Sequence, residues 1–312
     1  MKIAVFGAGA VGGYFGGRLA LSNQEEVVFI ARGRNLEALR TDGLRIDSVD
    51  GDITIAKVMA TDTPAEIGPV DVVLVTVKTW QLADAIRSMA PLIGSQTVLV
   101  PLLNGVDAPT TLSQSFGKSH VVTGLAKIIA RLEAPAHVNH LGAVPYIALG
   151  EHDNRRSRRV KSLAAAFSAA GITTDVPRDI HAALWSKFLF VVSWGGLGAV
   201  TRAPLGVLRS LPQTRKMMIR SMEEIQCLAL SCGVRLPEDI VATTMTFVDS
   251  LPANGTASLQ RDITAGLPSE LDAWNGAVER LGRETGVATP VNAFIYNCLL
   301  PLEKRAGGEI KF

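Results

Sequence analysis

The sequence predicts an α/β chain whose first half is a doubly wound parallel sheet and whose second half is all helical. Three observations predict it. An apolar run from Ile3 to Phe6 enters Gly7-x-Gly9-x-x-Gly12 and continues into an apolar-periodic stretch through Leu19. Short β-branched runs then alternate with helical patterns as far as Val176, the arrangement of βαβ units. Beyond Pro177 nearly every segment has helical period. The expected layout is a Rossmann-like domain over residues 1–178 and a helical domain over residues 179–312.

The opening segment reads as strand, glycine turn and helix. Gly7 suits the tight turn, Gly9 lets backbone approach a pyrophosphate, and Gly12 lets the helix pack close to the strand. Ala10 and Val11 start the helix, where unpaired N–H groups and the helix dipole favour an anion. Val27 to Ile30 reads as the second strand. Residues 44–58, with Asp50-Gly51, read as a hairpin inserted in the crossover. Val70 to Val77 and Thr97 to Leu103 are continuous buried strands, with helices near Gln81 to Met89 and Ala108 to Gln114. From Val121 to Leu149 strands follow one another, predicting an antiparallel extension of the sheet. A helix near Ser157 to Ala170 and a strand at Ile172 to Val176 close the domain. The second half predicts helices over 180–200, 212–233, 237–249, 269–286 and 290–304.

Composition excludes several classes. The 312 residues are 47% hydrophobic and 19% charged, with 31 basic against 29 acidic residues and a net charge of +2, so no global field favours nucleic acid or membrane. The run Arg155, Arg156, Arg158, Arg159 and Lys161 reads as the solvated start of a helix. Cys227, Cys232 and Cys298 are odd in number and lack a C-x-x-C pair, which indicates neither a disulfide framework nor a zinc site and fits a reducing cytoplasm. Neither the cysteines nor His120, His137, His140, His152 and His181 stand at metal-ligand spacing, so no metal is expected. Glycines interrupt the apolar start, so it does not read as a secretory leader. The run Phe188 to Val200 is short of the roughly 20 residues that span a bilayer and reads as a buried core helix.

Four sets of residues stand out for chemistry. After the second strand, where an acidic residue would select the 2′-hydroxyl of NAD, the chain has Ala31-Arg32-Gly33-Arg34. Arg32 or Arg34 can pair with a 2′-phosphate instead, so the expected cofactor is NADP(H). Lys78 and Asn104 close the third and fourth buried strands, where ligands of open α/β sheets lie. Lys78 could meet the cofactor and Asn104 could bond near the nicotinamide or the reacting carbonyl, although Asn104-Gly105 also makes a turn unaided. Lys187 begins a strongly apolar helix with Phe190, Val191 and Trp194 on its face, surroundings that would lower an ammonium pKa toward that of a proton donor. Glu270 follows Pro268 and Ser269, which read as a helix start, and a first-turn carboxylate there also suits the dipole.

Taken in order, Gly7-x-Gly9-x-x-Gly12, Arg32, Val77-Lys78-Thr79, Leu103-Asn104-Gly105, Trp185-x-Lys187, Ser258-x-x-x-Asp262, Ser269-Glu270-Leu271-Asp272 and Gly286-Val-Ala-Thr-Pro-Val-Asn292 resemble the ketopantoate reductase (2-dehydropantoate 2-reductase) family. The resemblance covers almost the whole chain. It implies NADPH as hydride donor, Lys187 as general acid with Glu270 beside it, substrate contact by Ser258, and cofactor-side roles for Lys78 and Asn104. The implied reaction is reduction of a 2-oxo acid at its C2 carbonyl, with a small-molecule substrate and no nucleic-acid or membrane partner; a homodimer is compatible with it. The chain departs from the family where asparagines are expected one and two turns after the lysine, since it carries Val191 and Gly195, and again near Leu205. Those changes predict a larger, less polar pocket. The alternatives are a 3-hydroxyacid or opine-type dehydrogenase and a non-catalytic NADP(H)-binding regulator.

Overall fold

Alternation of buried side chains builds the first sheet. In β1 (Lys2–Phe6), Ile3 and Val5 join one apolar cluster while Ala4 and Phe6 join another, as expected of a strand covered on both faces. The computed structural model describes the backbone of all 312 residues and every side chain but that of Ala143. The chain divides into two compact units, residues 1–103 with 107–180, and residues 104–106 with 181–312.

In the first unit, α1 (Ala10–Leu21) leads to β2 (Glu26–Ile30) and α2 (Gly33–Thr41). The hairpin β3 (Leu44–Ser48) and β4 (Ile53–Ile55) follows, antiparallel as its Asp50-Gly51 turn predicts. Next come β5 (Met59–Thr61), β6 (Val72–Val75), α3 (Leu82–Met89), β7 (Val98–Pro101) and α4 (Ala108–Phe116). The unit closes with β8 (Thr123–Ala134), β9 (His137–Gly150), α5 (Arg158–Ala169) and β10 (Thr173–Asp175). The main sheet has the order β5-β2-β1-β6-β7 with every pair parallel. Strands are added to one side of β1 as far as β5 and then to its other side from β6, and this reversal of strand order sets the switch point at the end where Gly7 begins its turn.

The strands after Val121 do not extend that sheet as expected. A parallel bridge between Leu99 and Val121 is followed by a second five-stranded sheet. There β9 pairs with β8 antiparallel on one edge, while its other edge takes β3 at His137 to His140 and β10 at Tyr146 to Ala148, both parallel. Helix α1 lies between the two sheets, and its glycines are the reason it fits. A Cβ on Gly16 would come within 2.8 Å of Val5 and Phe29 side chains of the first sheet. One on Gly13 would meet Val138, and one on Gly17 would meet Ile46 and Leu44, all of the second.

The second unit consists of α6 (Ile180–Thr201), α7 (Leu205–Ser210), α8 (Pro212–Ser231), α9 (Ile240–Ser250), α10 (Ser258–Thr264), α11 (Ala277–Thr285) and α12 (Pro290–Ala306). The helical pattern does not show the short α7 and α10, each under two turns or so. The 22 residues of α6 make it long and apolar enough to cross a bilayer by length and composition alone, although its apolar run is shorter. Within the unit, however, Leu189, Val192, Ser193 and Ala199 are fully buried by other helices, as in a core helix. The segment expected to be helical from residue 269 starts later: a π-helical turn over Asp272–Gly276 leads into α11.

Candidate active site

The glycine turn of the first unit separates glycines that the fold needs from one that it does not. Gly7 has φ +106°, and a Cβ there would press on Val77. A Cβ on Gly12 would lie 2.0 Å from the Gly7 carbonyl oxygen, so α1 can approach the strand only because Gly12 has no side chain. Thr76 Oγ1 locks the same turn by donating to that carbonyl at 2.7 Å. Around Gly9, by contrast, a Cβ would find no atom within 4 Å beyond its immediate chain neighbours. Space is therefore left open beside the first turn of α1, where Ala10 and Val11 are half-buried. This suits a pyrophosphate on the helix N-terminus.

Arg32 follows β2 and caps α2 with extended backbone; its exposed guanidinium donates to Ser88 Oγ at 3.3 Å. Lys78 lies just past β6, with its Nζ 5.5 Å from the centre of the Trp80 ring. Both sit at carboxyl ends of parallel strands, as the sequence predicts.

In the second unit, three of the predicted residues come together. Asn104, in the short segment that groups with the helices, accepts a hydrogen bond from Lys187 Nζ at 2.8 Å through Oδ1 and donates from Nδ2 to Glu270 at 2.9 Å. An ammonium can only donate and an ionised carboxylate can only accept, so the two partners dictate which way the amide points. Its dipole is aligned with both charges. Glu270 is 4% exposed, and a buried carboxylate needs such a donor. Local structure sets up each member: Gly105, at φ +91° and close to the Ala273 carbonyl, turns the chain so that Asn104 faces the helices. The dipeptide thus makes a turn and also carries the amide that bridges Lys187 and Glu270. Glu270 lies ahead of the π turn rather than in a first helical turn, and its carbonyl accepts the amide of Trp274 at 3.0 Å.

The altered positions after Lys187 behave differently from the expectation. Gly195 does not enlarge a pocket, because the Trp274 ring occupies the volume where its side chain would be. The π turn delivers that indole, four residues after Glu270, and the sequence reading did not single it out. Val191 is half-buried in the apolar cluster of this unit, and Phe190 stacks against Trp194 with ring centres 5.3 Å apart. Leu205 is fully buried at the start of α7. Ser258 is the first residue of α10, directly after Ala257, whose side chain also packs at Gly195. The face above Lys187 is therefore apolar and aromatic, and its notch at Gly195 is filled.

Comparison with known proteins identifies the family. The family model described as Ketopantoate reductase PanE/ApbA matches residues 3–154, and the model of its C-terminal domain matches residues 179–303. A 2-dehydropantoate 2-reductase of Mesorhizobium japonicum is 31% identical over 310 residues, covering 93% of this chain and 94% of the relative. The crystal structure of 2-dehydropantoate 2-reductase from Geobacter metallireducens superposes with a TM-score of 0.91 at 31% identity, covering 96% of this chain and 99% of that one. That of a PanE/ApbA family ketopantoate reductase from Ralstonia eutropha gives 0.89 at 29%, covering 98% and 100%. With both family models matched in order and relatives aligned along nearly their full length, the chain belongs to the ketopantoate reductase family.

Proposed function

We propose that this protein is an NADPH-dependent reductase of a 2-oxo acid, acting in the manner of 2-dehydropantoate 2-reductase. The observation that carries the reading is the Asn104 bridge, which holds an ammonium and a carboxylate in one hydrogen-bonded line. Family membership supports the oxidoreductase class and a nicotinamide cofactor. A bound reduced nicotinamide supplies the hydride. Lys187 donates a proton to the oxygen that becomes an alkoxide at C2, and its charge stabilises that oxygen as it forms. Asn104 orients Lys187, and Glu270 holds Asn104. Ser258 contacts the substrate. Gly7, Gly9, Ala10, Val11 and Gly12 would hold the pyrophosphate, Arg32 the 2′-phosphate, and Lys78 the cofactor side of the site.

The substrate side chain meets apolar contact rather than amide hydrogen bonds, because half-buried Val191 stands where the resemblance expects one asparagine and the buried Trp274 ring fills the place of the other. An apolar surface discriminates less than a hydrogen-bonding one. Several 2-oxo acids should therefore react, ketopantoate no better than moderately. A cytoplasmic location goes with this reading, supported by the small number and spacing of the cysteines. The test is NADPH oxidation over 2-oxo acids of graded size, with Lys187→Ala alongside. Turnover of several acids, lost in the variant, supports the reading. Sharp selectivity for ketopantoate overturns the substrate assignment, and NADPH binding without turnover of any acid overturns the reaction.

A further inference from the structure

Helix α12 carries three polar side chains that grip the segment bearing Glu270. Glu303 accepts from the Ser269 amide at 2.9 Å and from the Ser269 hydroxyl. The Tyr296 hydroxyl donates to Asp272 at 2.8 Å. Asn292 Oδ1 accepts from Asn275 Nδ2 at 3.0 Å. On a helix of 3.6 residues per turn, positions 292, 296 and 303 fall within roughly 40° of one another, so they form one stripe about 16 Å long. The gripped residues run antiparallel to it, from Ser269 opposite Glu303 to Asn275 opposite Asn292.

The stripe is itself held. Asn292 is fully buried and donates to Glu224 of α8 at 2.6 Å, while the same carboxylate accepts the Val291 and Asn292 amides. Ser221 and Ser193 extend this buried network to α6, the helix of Lys187. The Tyr296 ring packs where a Cβ on Gly276 would stand. Burial, and then the Asp272 carboxylate, push the Tyr296 hydroxyl up to about 12, so it remains a donor through the working pH range.

We infer that α12 positions Glu270: Glu303, Tyr296 and Asn292 act as positioning residues that hold the Ser269–Gly276 segment so that the Glu270 carboxylate meets Asn104. Glu303 matters most, since it fixes the backbone one residue away. A carboxylate on an otherwise irregular stretch, ahead of a π turn, has little helical hydrogen bonding of its own to hold it. The grip from α12 takes that place.

The inference rests on the role proposed for Glu270, and a double-mutant cycle tests it. Glu303→Ala should lower kcat/KM for 2-oxo acid reduction roughly 10- to 100-fold, the loss typical of a misplaced catalytic group, with NADPH affinity unchanged. Glu303→Gln keeps an oxygen acceptor for Ser269 and should recover most of the loss. In a Glu270→Gln background, Glu303→Ala should have no further effect. If Glu270→Gln itself is fully active, the site assignment falls and takes the clamp with it. If Glu270→Gln is impaired but Glu303→Ala is not, or if their effects multiply, the clamp alone is overturned. Should Glu303→Ala fail to fold, Tyr296→Phe replaces it; the expected loss is roughly 3- to 10-fold, absent in the Glu270→Gln background, and parent-like kcat/KM overturns the proposal. A crystal structure of Glu303→Gln or Tyr296→Phe provides a check independent of turnover. Glu270 should hold its place against Asn104 in the first and shift in the second, and the reverse pattern contradicts the inference.

Discussion

A Cβ placed on Gly195 would lie 2.4 Å from Cζ3 of Trp274 and 3.1 Å from Cε3. The glycine is thus a seat for the indole and not an opening for substrate. Gly195→Ala should destabilise the helical unit by about 1–3 kcal/mol, the usual range for overpacking, and lower the melting temperature by a few degrees. Adding Trp274→Leu should return part of that loss, because the two changes share one volume. A Gly195→Ala variant that melts like the parent would remove the packing argument.

The nucleotide turn makes a paired prediction. Gly9→Val adds a side chain where no atom beyond the immediate chain neighbours lies within 4 Å, so the fold should survive while NADPH binding is blocked. Gly12→Val drives a side chain into the Gly7 carbonyl and should compromise folding itself. Circular dichroism melts and NADPH titration separate the two; a Gly9→Val variant that binds NADPH normally would reduce the loop to a structural turn.

Arg32 decides the choice between the two nicotinamide cofactors if it pairs with a 2′-phosphate, a charged hydrogen bond worth about 1.5–3 kcal/mol. Arg32→Ala should raise KM for NADPH much more than KM for NADH. Steady-state kinetics with both cofactors measure this, and equal effects would reassign Arg32 to the surface.

Lys187→Ala should lower turnover by roughly 10²–10⁴-fold with NADPH binding near normal, the ordinary share of general acid catalysis. Asn104→Ala should do two things at once. It unseats Lys187, lowering turnover, and it removes a donor from the buried Glu270, at a cost of about 1–3 kcal/mol in stability. A Lys187→Ala enzyme within a few-fold of the parent would leave the lysine a packing residue only.

Glu151, 3% exposed, accepts from Arg159 and Ser157. Burial pushes its carboxyl up, but the Arg159 guanidinium and the Ser157 hydroxyl outweigh this and hold it below the usual carboxylate range. A depressed native pKa adds stability that is complete above the unfolded value, about 4.3, and is lost as pH falls through the native value. Glu151→Gln should therefore flatten the acid side of the stability curve and leave its neutral-to-alkaline shape unchanged. An unchanged acid limb in urea melts from pH 3 to 7 would argue against this.

Much of the fold was legible because its signals are local. Buried strands announce themselves as β-branched runs, the glycine turn has a fixed spacing, and the helix from residue 180 is a continuous apolar pattern. Lys187, Asn104 and Glu270 could each be named from motif and position. The second sheet could not be read, because β9 takes three partners along its length and long-range pairing leaves no local trace. The same holds for the glycines of α1, which look like poor helix formers until both sheets close on them.

The sequence by itself determined the order of elements, the all-helical second half, the glycine turn and the identity of the candidate site residues, since periodicity and residue chemistry are properties of short segments. Only the tertiary structure decided that Asn104 bridges Lys187 and Glu270, that Trp274 fills the notch at Gly195, and that α12 grips the Glu270 segment. These relationships join residues 79 to 166 positions apart in the first two cases and 34 in the last. They depend on which volumes packing leaves empty and which donors it brings to which acceptors, and neither is set until the helices have docked.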